Sequence, residues 1–168
     1  MGRTEQNPVA MDLHLPRYAD LPRLGLYLEQ AVEYVNGCLV ALGDVRLTSA
    51  MASSYVKHHL LGHPQKRQYG RDHLARLIFI AAAKNVLPLA SLRVAVEIQQ
   101  GSRDSFASAY DSFCTELENA TRLATGQQGS GEVVDAETDQ QQMLHNLALA
   151  IAYRSVVDRY FHAISADL

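Results

Sequence analysis

Cysteine is scarce. Cys38 and Cys114 are the only two in 168 residues, far apart and in no CxxC arrangement, which argues against a disulfide framework, a redox pair or a thiolate metal site. Cys38 lies among Val35, Leu39 and Leu42 at helical spacing, so buried, reduced thiols are expected. Long apolar runs are missing too. Nothing approaches the length of a membrane span. Met1 is not followed by a basic-then-apolar signal segment, and a cytoplasmic location is expected. The chain has no GxSxG, P-loop, HExxH or GxGxxG motif, and its carboxylates form no close pair on an apolar face. Neither an enzyme nor a bound cofactor is expected.

The most telling shortage is local. Between Val45 and Lys84 a single acid, Asp72, stands against seven basic residues: Arg46, Lys57, Lys66, Arg67, Arg71, Arg76 and Lys84. That stretch carries +6 in a chain whose total is -3. A basic block in an acidic protein points to a polyanion partner, most often nucleic acid. A solvated face of an ordinary protein is the competing explanation.

What is present reads as helices. Asp20-Leu21-Pro22 suits a helix start, and Leu28, Val32, Val35, Leu39 and Leu42 then recur at steps of three and four. Gly43 is expected as a C-cap. Thr48 suits an N-cap, and the next helix is expected over Ser49–His59, with Met51, Ala52, Tyr55 and Val56 inward. Gly62-His63-Pro64 breaks it. A third helix is expected over Arg71–Ala83 on a stripe of Leu74, Leu77, Ile78 and Ala81, and a fourth from near Leu89, carrying Leu92, Val96 and Ile98 before Gly101. Phe106, Tyr110, Phe113, Leu117 and Ala120 repeat at helical spacing as a core stripe. Gly126–Thr138 reads as a flexible connection. The last helix, about Asp139–Ala163, is apolar on more than one face and needs cover on several sides, which points to a second subunit.

A helix ending in Gly, a short turn and a capped second helix follow the helix-turn-helix order. The second helix would span about 16 Å, suited to a DNA major groove. Its outer face offers Ser49, Ser53, Ser54, Lys57 and His58, and its first-turn N–H groups can hold an anion. Lys66 and Arg67 follow on a loop that could act as a wing. His58, His59, His63 and His73 cluster in sequence, but Gly62 and Pro64 break the helix between them and no Cys or carboxylate completes a ligand set, so no metal is expected.

Leu47-Thr48 through Tyr55, then His59-Leu60-Leu61, Arg67-Gln68-Tyr69, Arg71 through Leu77 and Leu87 through Leu92 resemble the winged helix-turn-helix of the MerR type. Residues 15–100 are similar, more closely, to a bacterial family of uncharacterised domains, domain of unknown function 1836. The carrying residues are Leu15-Pro16-Arg17, Leu47-Thr48, Tyr55-Val56-Lys57 and Tyr69-Gly70-Arg71-Asp72-His73-Leu74. The resemblance implies a small winged helix that binds DNA. The chain departs from that pattern with Ser53 and Ser54 where bidentate Asn or Arg would stand, and with His59 at the helix exit in place of Gly. Hydroxyls discriminate bases poorly, so backbone contact is favoured over base readout.

The expectation is therefore an all-α chain: a tail over 1–14, a MerR-like winged helix-turn-helix over 15–100 with at most a small β-hairpin wing, and a two-helix dimerisation module over 101–168. The recognition helix would lie at about 49–59 and the wing at about 62–69. Duplex DNA would meet Thr48, Ser49, Ser53, Ser54, Lys57 and His58, with Arg46, Lys66, Arg67 and Arg71 on phosphates. A homodimer acting in transcription, with an effector left open, would follow. The alternative is a degenerate helix-turn-helix kept for protein interaction without DNA binding.

Overall fold

The computed structural model describes residues 11–101, 105–127 and 138–168. Six α-helices account for most of them: α1 Leu28–Leu39, α2 Ser49–Lys57, α3 Arg71–Ala83, α4 Leu89–Gly101, α5 Phe106–Ala124 and α6 Asp139–Ala166. Short 3-10 turns precede α1 at Tyr18–Asp20 and follow it at Val40–Leu42. Among the described residues, strand-like pairing is limited to two isolated bridges, Leu26 with Tyr69 and Gln65 with Gln68. The chain is all-α as expected. No helix among the described residues is long and apolar enough to cross a membrane. Most of the flexible connection expected over Gly126–Thr138 lies outside the described residues.

α3 is the centre of the molecule. Leu74, Ala75 and every residue from Leu77 to Ala83 are buried, a wider face than the expected stripe. The reason is that α1, α4, α5 and α6 all pack around it, so no side of its second half is left to solvent. Ala81, Ala82 and Ala83 keep its second half slim enough for that. Phe79 meets Phe113 of α5 edge-on, with ring centroids 4.9 Å apart. One buried cluster runs from Leu13 through α1–α5 to Ala152 of α6.

The N-terminal segment departs from expectation. Residues 1–10 lie outside the described part, but Met11 and Leu13, placed in a tail by the sequence, are buried. From Met11 to Leu21 the chain forms a strap between α5 and α3. A strap without a partner strand leaves backbone groups that must find partners elsewhere. Glu118 supplies them: its carboxylate accepts from the Leu15 N–H at 3.2 Å and from both Arg17 Nη atoms at 3.0 and 2.9 Å. The Tyr110 hydroxyl donates to Pro16 O at 2.8 Å, and the Tyr18 N–H to Asp111 at 2.7 Å. Arg71 donates to Leu21 O and Ala19 O from the other side. Glu118 is buried, and the bidentate guanidinium makes that burial tolerable. The same contact raises the Arg17 pKa above its ordinary value.

Asp20-Leu21-Pro22 does not start α1. The helix begins at Leu28, and the Gln30 side chain accepts from the Tyr27 N–H at 3.0 Å. Residues 23–26 are occupied instead by the bridge to Tyr69, through Leu26 N to Tyr69 O at 3.0 Å and the return bond at 2.7 Å. Gly25 is where these segments touch: a Cβ there would sit 2.7 Å from Gln68 Cβ.

The turn between α1 and α2 is fixed from four directions. Asn36 of α1 donates to Leu47 O at 2.9 Å and accepts from Leu47 N at 2.8 Å. Thr48 caps α2, accepting from Met51 N at 3.1 Å. Gly43 takes φ +82 after the 3-10 turn, which an L side chain disfavours. Arg159 of α6 donates to Ala41 O at 2.7 Å. Burial pushes the Cys114 thiol up to about 11, and the half-buried Cys38 thiol is raised for the same reason.

Arg17→Ala leaves Glu118 buried and half-partnered, and is expected to cost about 2–3 kcal/mol, measured by denaturant unfolding. Asn36→Ala strands both backbone groups of Leu47, and is expected to cost about 1–3 kcal/mol by the same assay. Cys114 is expected to react with a thiol reagent only as fast as the chain unfolds; rapid labelling of the native protein would contradict its placement.

Candidate nucleic-acid interface

α2 is a short helix with one face in the core and one in water. Ala52 and Tyr55 are buried, and the helix packs against α1. Thr48, Ala50, Ser53, Lys57 and His58 are exposed, while Ser49 and Ser54 are half-buried. Met51, expected inward, sits at the rim with its sulfur 3.8 Å from Lys84 Nζ. The helix ends two residues earlier than expected, at Lys57. His59 then adopts φ +62, the left-handed position that glycine usually fills at a helix exit. The turn that follows is tight with histidine in that role: the N–H groups of Leu60 and Leu61 both reach Tyr55 O.

The expected wing is reduced to a two-residue turn. Gln65 and Gln68 pair across Lys66 and Arg67, whose φ values are +51 and +62. Two consecutive left-handed residues make the primed type of hairpin turn, normally built from Asn-Gly. Lys and Arg hold that geometry at a cost of order 1 kcal/mol each. Both side chains are exposed.

The basic block divides once the fold is known. Arg46, Lys57, Lys66 and Arg67 are exposed, and none has a carboxylate partner among the described residues. The other three are in use. Arg71, assigned to phosphate by sequence, clamps the N-terminal strap and lies 5.9 Å from the Tyr18 ring centroid. Arg76 lies 4.8 Å over the Phe106 ring. Lys84 donates to Arg46 O, and desolvation lowers its pKa. Asp72, the one acid of the block, accepts a hydrogen bond from the Tyr18 hydroxyl. That contact and burial, the larger cause, push the Tyr18 phenol up to about 12.

The histidines do not gather. His73 is spent on local structure: Nδ1 accepts from the Gly70 N–H at 3.1 Å and Nε2 lies 3.2 Å from Gly62 O. That pair of contacts fits a ring with its proton on Nε2. His58, His59 and His63 are exposed, and among the described residues no group of His, Cys, Asp and Glu could hold a metal ion.

Two cations near this surface escaped the sequence reading. Arg93 of α4 is exposed and donates to His58 O at 2.9 Å, fastening α4 to the exit of α2. Arg23 is exposed beside Gly25, where the chain meets Gln68. Both lie outside the forty-residue block, so only the tertiary contacts reveal them.

No curated protein and no solved structure matches this chain. One family model does match: the domain of unknown function DUF1836 covers residues 16–113, from the N-terminal strap into the first half of α5. That is more than half of the 168 residues, and the chain belongs to the DUF1836 family.

Proposed function

We propose that this protein binds duplex DNA through α2 and the basic turn at 65–68, as a transcriptional regulator with a MerR-like helix-turn-helix. The observation that carries the reading is the set Arg46, Lys57, Lys66 and Arg67. These are four exposed cations, without carboxylate partners among the described residues, on α2, the turn before it and the loop after it. Unneutralised charge of one sign attracts a polyanion, and displaced counterions supply the free energy. The strained turn adds support. Lys66 and Arg67 occupy positions where Asn and Gly would be more stable, and strain of that kind concentrates at functional sites.

The outer face of α2 is open to solvent at Ser53, Lys57 and His58. A helix kept only to hold the C-terminal helices would bury that face. Ser53 and Ser54 offer hydroxyls rather than bidentate amides or guanidinia, so base discrimination is weak and phosphate contact dominates. Arg71 belongs to the fold in this reading, not to the contact surface.

With about four phosphate contacts, log Kobs is expected to fall with log[salt] at a slope near -3 to -4. A flat response overturns the proposal and favours the protein-interaction alternative. Lys57→Glu combined with Arg67→Glu is expected to abolish binding with the melting temperature unchanged. Replacing the turn by Lys66→Asn and Arg67→Gly gives a sharper test. Stability is expected to rise by about 1 kcal/mol or more while DNA affinity drops, since strain and two cations are removed together. If affinity survives that change, the turn is not a contact.

A further inference from the structure

α6 is a 28-residue helix capped by a reciprocal pair of hydrogen bonds between Thr138 and Gln141. Leu147, Ala148, Ile151, Ala152 and Ser155 turn towards the rest of the molecule and are buried. Over Tyr153–Ile164 the usual amphipathic order is largely inverted. Polar side chains point to the domain: Arg159 reaches Ala41 O, Arg154 reaches Asn85 O at 2.6 Å, and His162 lies 3.8 Å from Asp44. Apolar side chains point away. Tyr153, Val157, Tyr160, Phe161 and Ile164 are between 41% and 62% exposed. A helix end whose outer side faced only water would carry these groups the other way round.

The outward residues also keep a strict spacing. Met143, Asn146, Ala150, Tyr153, Val157, Tyr160 and Ile164 follow one another at alternating steps of three and four, all exposed and none charged. That is the spacing of a coiled-coil seam over three heptads, about 30 Å long. We propose that this seam pairs with the α6 seam of a second copy of the chain.

A seam of this period needs a partner helix of matching period and length. A second copy supplies one by symmetry, through a self-complementary contact. The area agrees. Met143, Tyr153, Val157, Tyr160 and Ile164, 37% to 53% exposed, offer on the order of 400–450 Å² per chain, and two faces together on the order of 900 Å², close to the lower bound of a specific interface. Asn146 interrupts the apolar seam once, the kind of position that fixes register. The proposal is independent of the nucleic-acid reading and is tested without nucleic acid.

Analytical ultracentrifugation of the full chain at micromolar concentration is expected to show a species of twice the 18.6 kDa chain mass. Val157→Lys with Ile164→Lys places charge on exposed positions, so helicity and melting temperature of the protomer stay unchanged. Dimer dissociation is expected to become easier by at least about tenfold. Leu123→Lys, on an equally exposed site of α5, serves as the control and leaves the dimer intact. Sedimentation of the unmodified chain at single mass overturns the proposal. So does a dimer that survives the seam lysines, or one that dissociates on Leu123→Lys. Loss of DNA affinity with an intact dimer would bear on the nucleic-acid reading alone.

Discussion

The constraint on which this structure rests is the hydrogen-bonding demand of a buried strap that belongs to no sheet. Residues 11–21 bring Met11, Leu13, Leu15 and Leu21 into the core, and their peptide groups go with them. In a β-protein a neighbouring strand would answer those groups. Here side chains of α5 and α3 answer groups of Leu15, Pro16, Tyr18 and Leu21: Glu118, Asp111 and Tyr110 on one side, Arg71 on the other. An unpaired buried peptide group costs as much as a lost hydrogen bond. The strap therefore stays in place only while α3 and α5 keep their spacing, and it locks that spacing in return.

The same economy of partners governs the surface proposed to meet DNA. A nine-residue helix is too short to be stable alone, and α2 borrows its rigidity. Asn36 pins the turn before it, Thr48 closes its first turn, and Arg159 reaches from α6 to hold the 3-10 turn upstream. Lys84 crosses from the end of α3 to Arg46 O. A basic group spent on that contact is lost to phosphate; the fold spends Arg71 in the same way, on Leu21 O and Ala19 O, and lays Arg76 over the Phe106 ring. The net charge of the block overstates the charge available at its surface, because guanidinium and ammonium groups are also the best donors to stranded carbonyls.

Much of the helical skeleton was legible. α3 begins and ends, and α4 begins, where the apolar spacing and the flanking Gly, Asn and Pro residues place them, and the Thr48 cap is as expected. Local rules suffice there because each signal acts within one turn of helix. They failed at Asp20-Leu21-Pro22, where the signals of a helix start were real but Asp20 closes a 3-10 turn and Arg71 holds Leu21 O, so α1 waits until the chain has passed its bridge from Leu26 to Tyr69. They failed at Met11 and Leu13 because a polar, irregular stretch with alternate apolar residues looks like a tail until its docking surface is known. Part of the candidate site was legible in the same sense. Lys57, Lys66 and Arg67 could be named from charge and order. Arg71 could not be separated from them, and Arg93 could not be found.

By itself the sequence determined the helical class, the order of the elements, the capped α2 and the concentration of positive charge around it. These follow from spacing, capping and composition, all local quantities. Only the tertiary structure decided which cations remain free, how Lys66 and Arg67 are forced into left-handed turns, and which side of α6 is left uncovered. Those depend on contacts between residues far apart in the chain, such as Arg17 with Glu118 and Arg159 with Ala41. No periodicity encodes such contacts, because they are set by where whole helices pack and by which buried polar groups then need a partner.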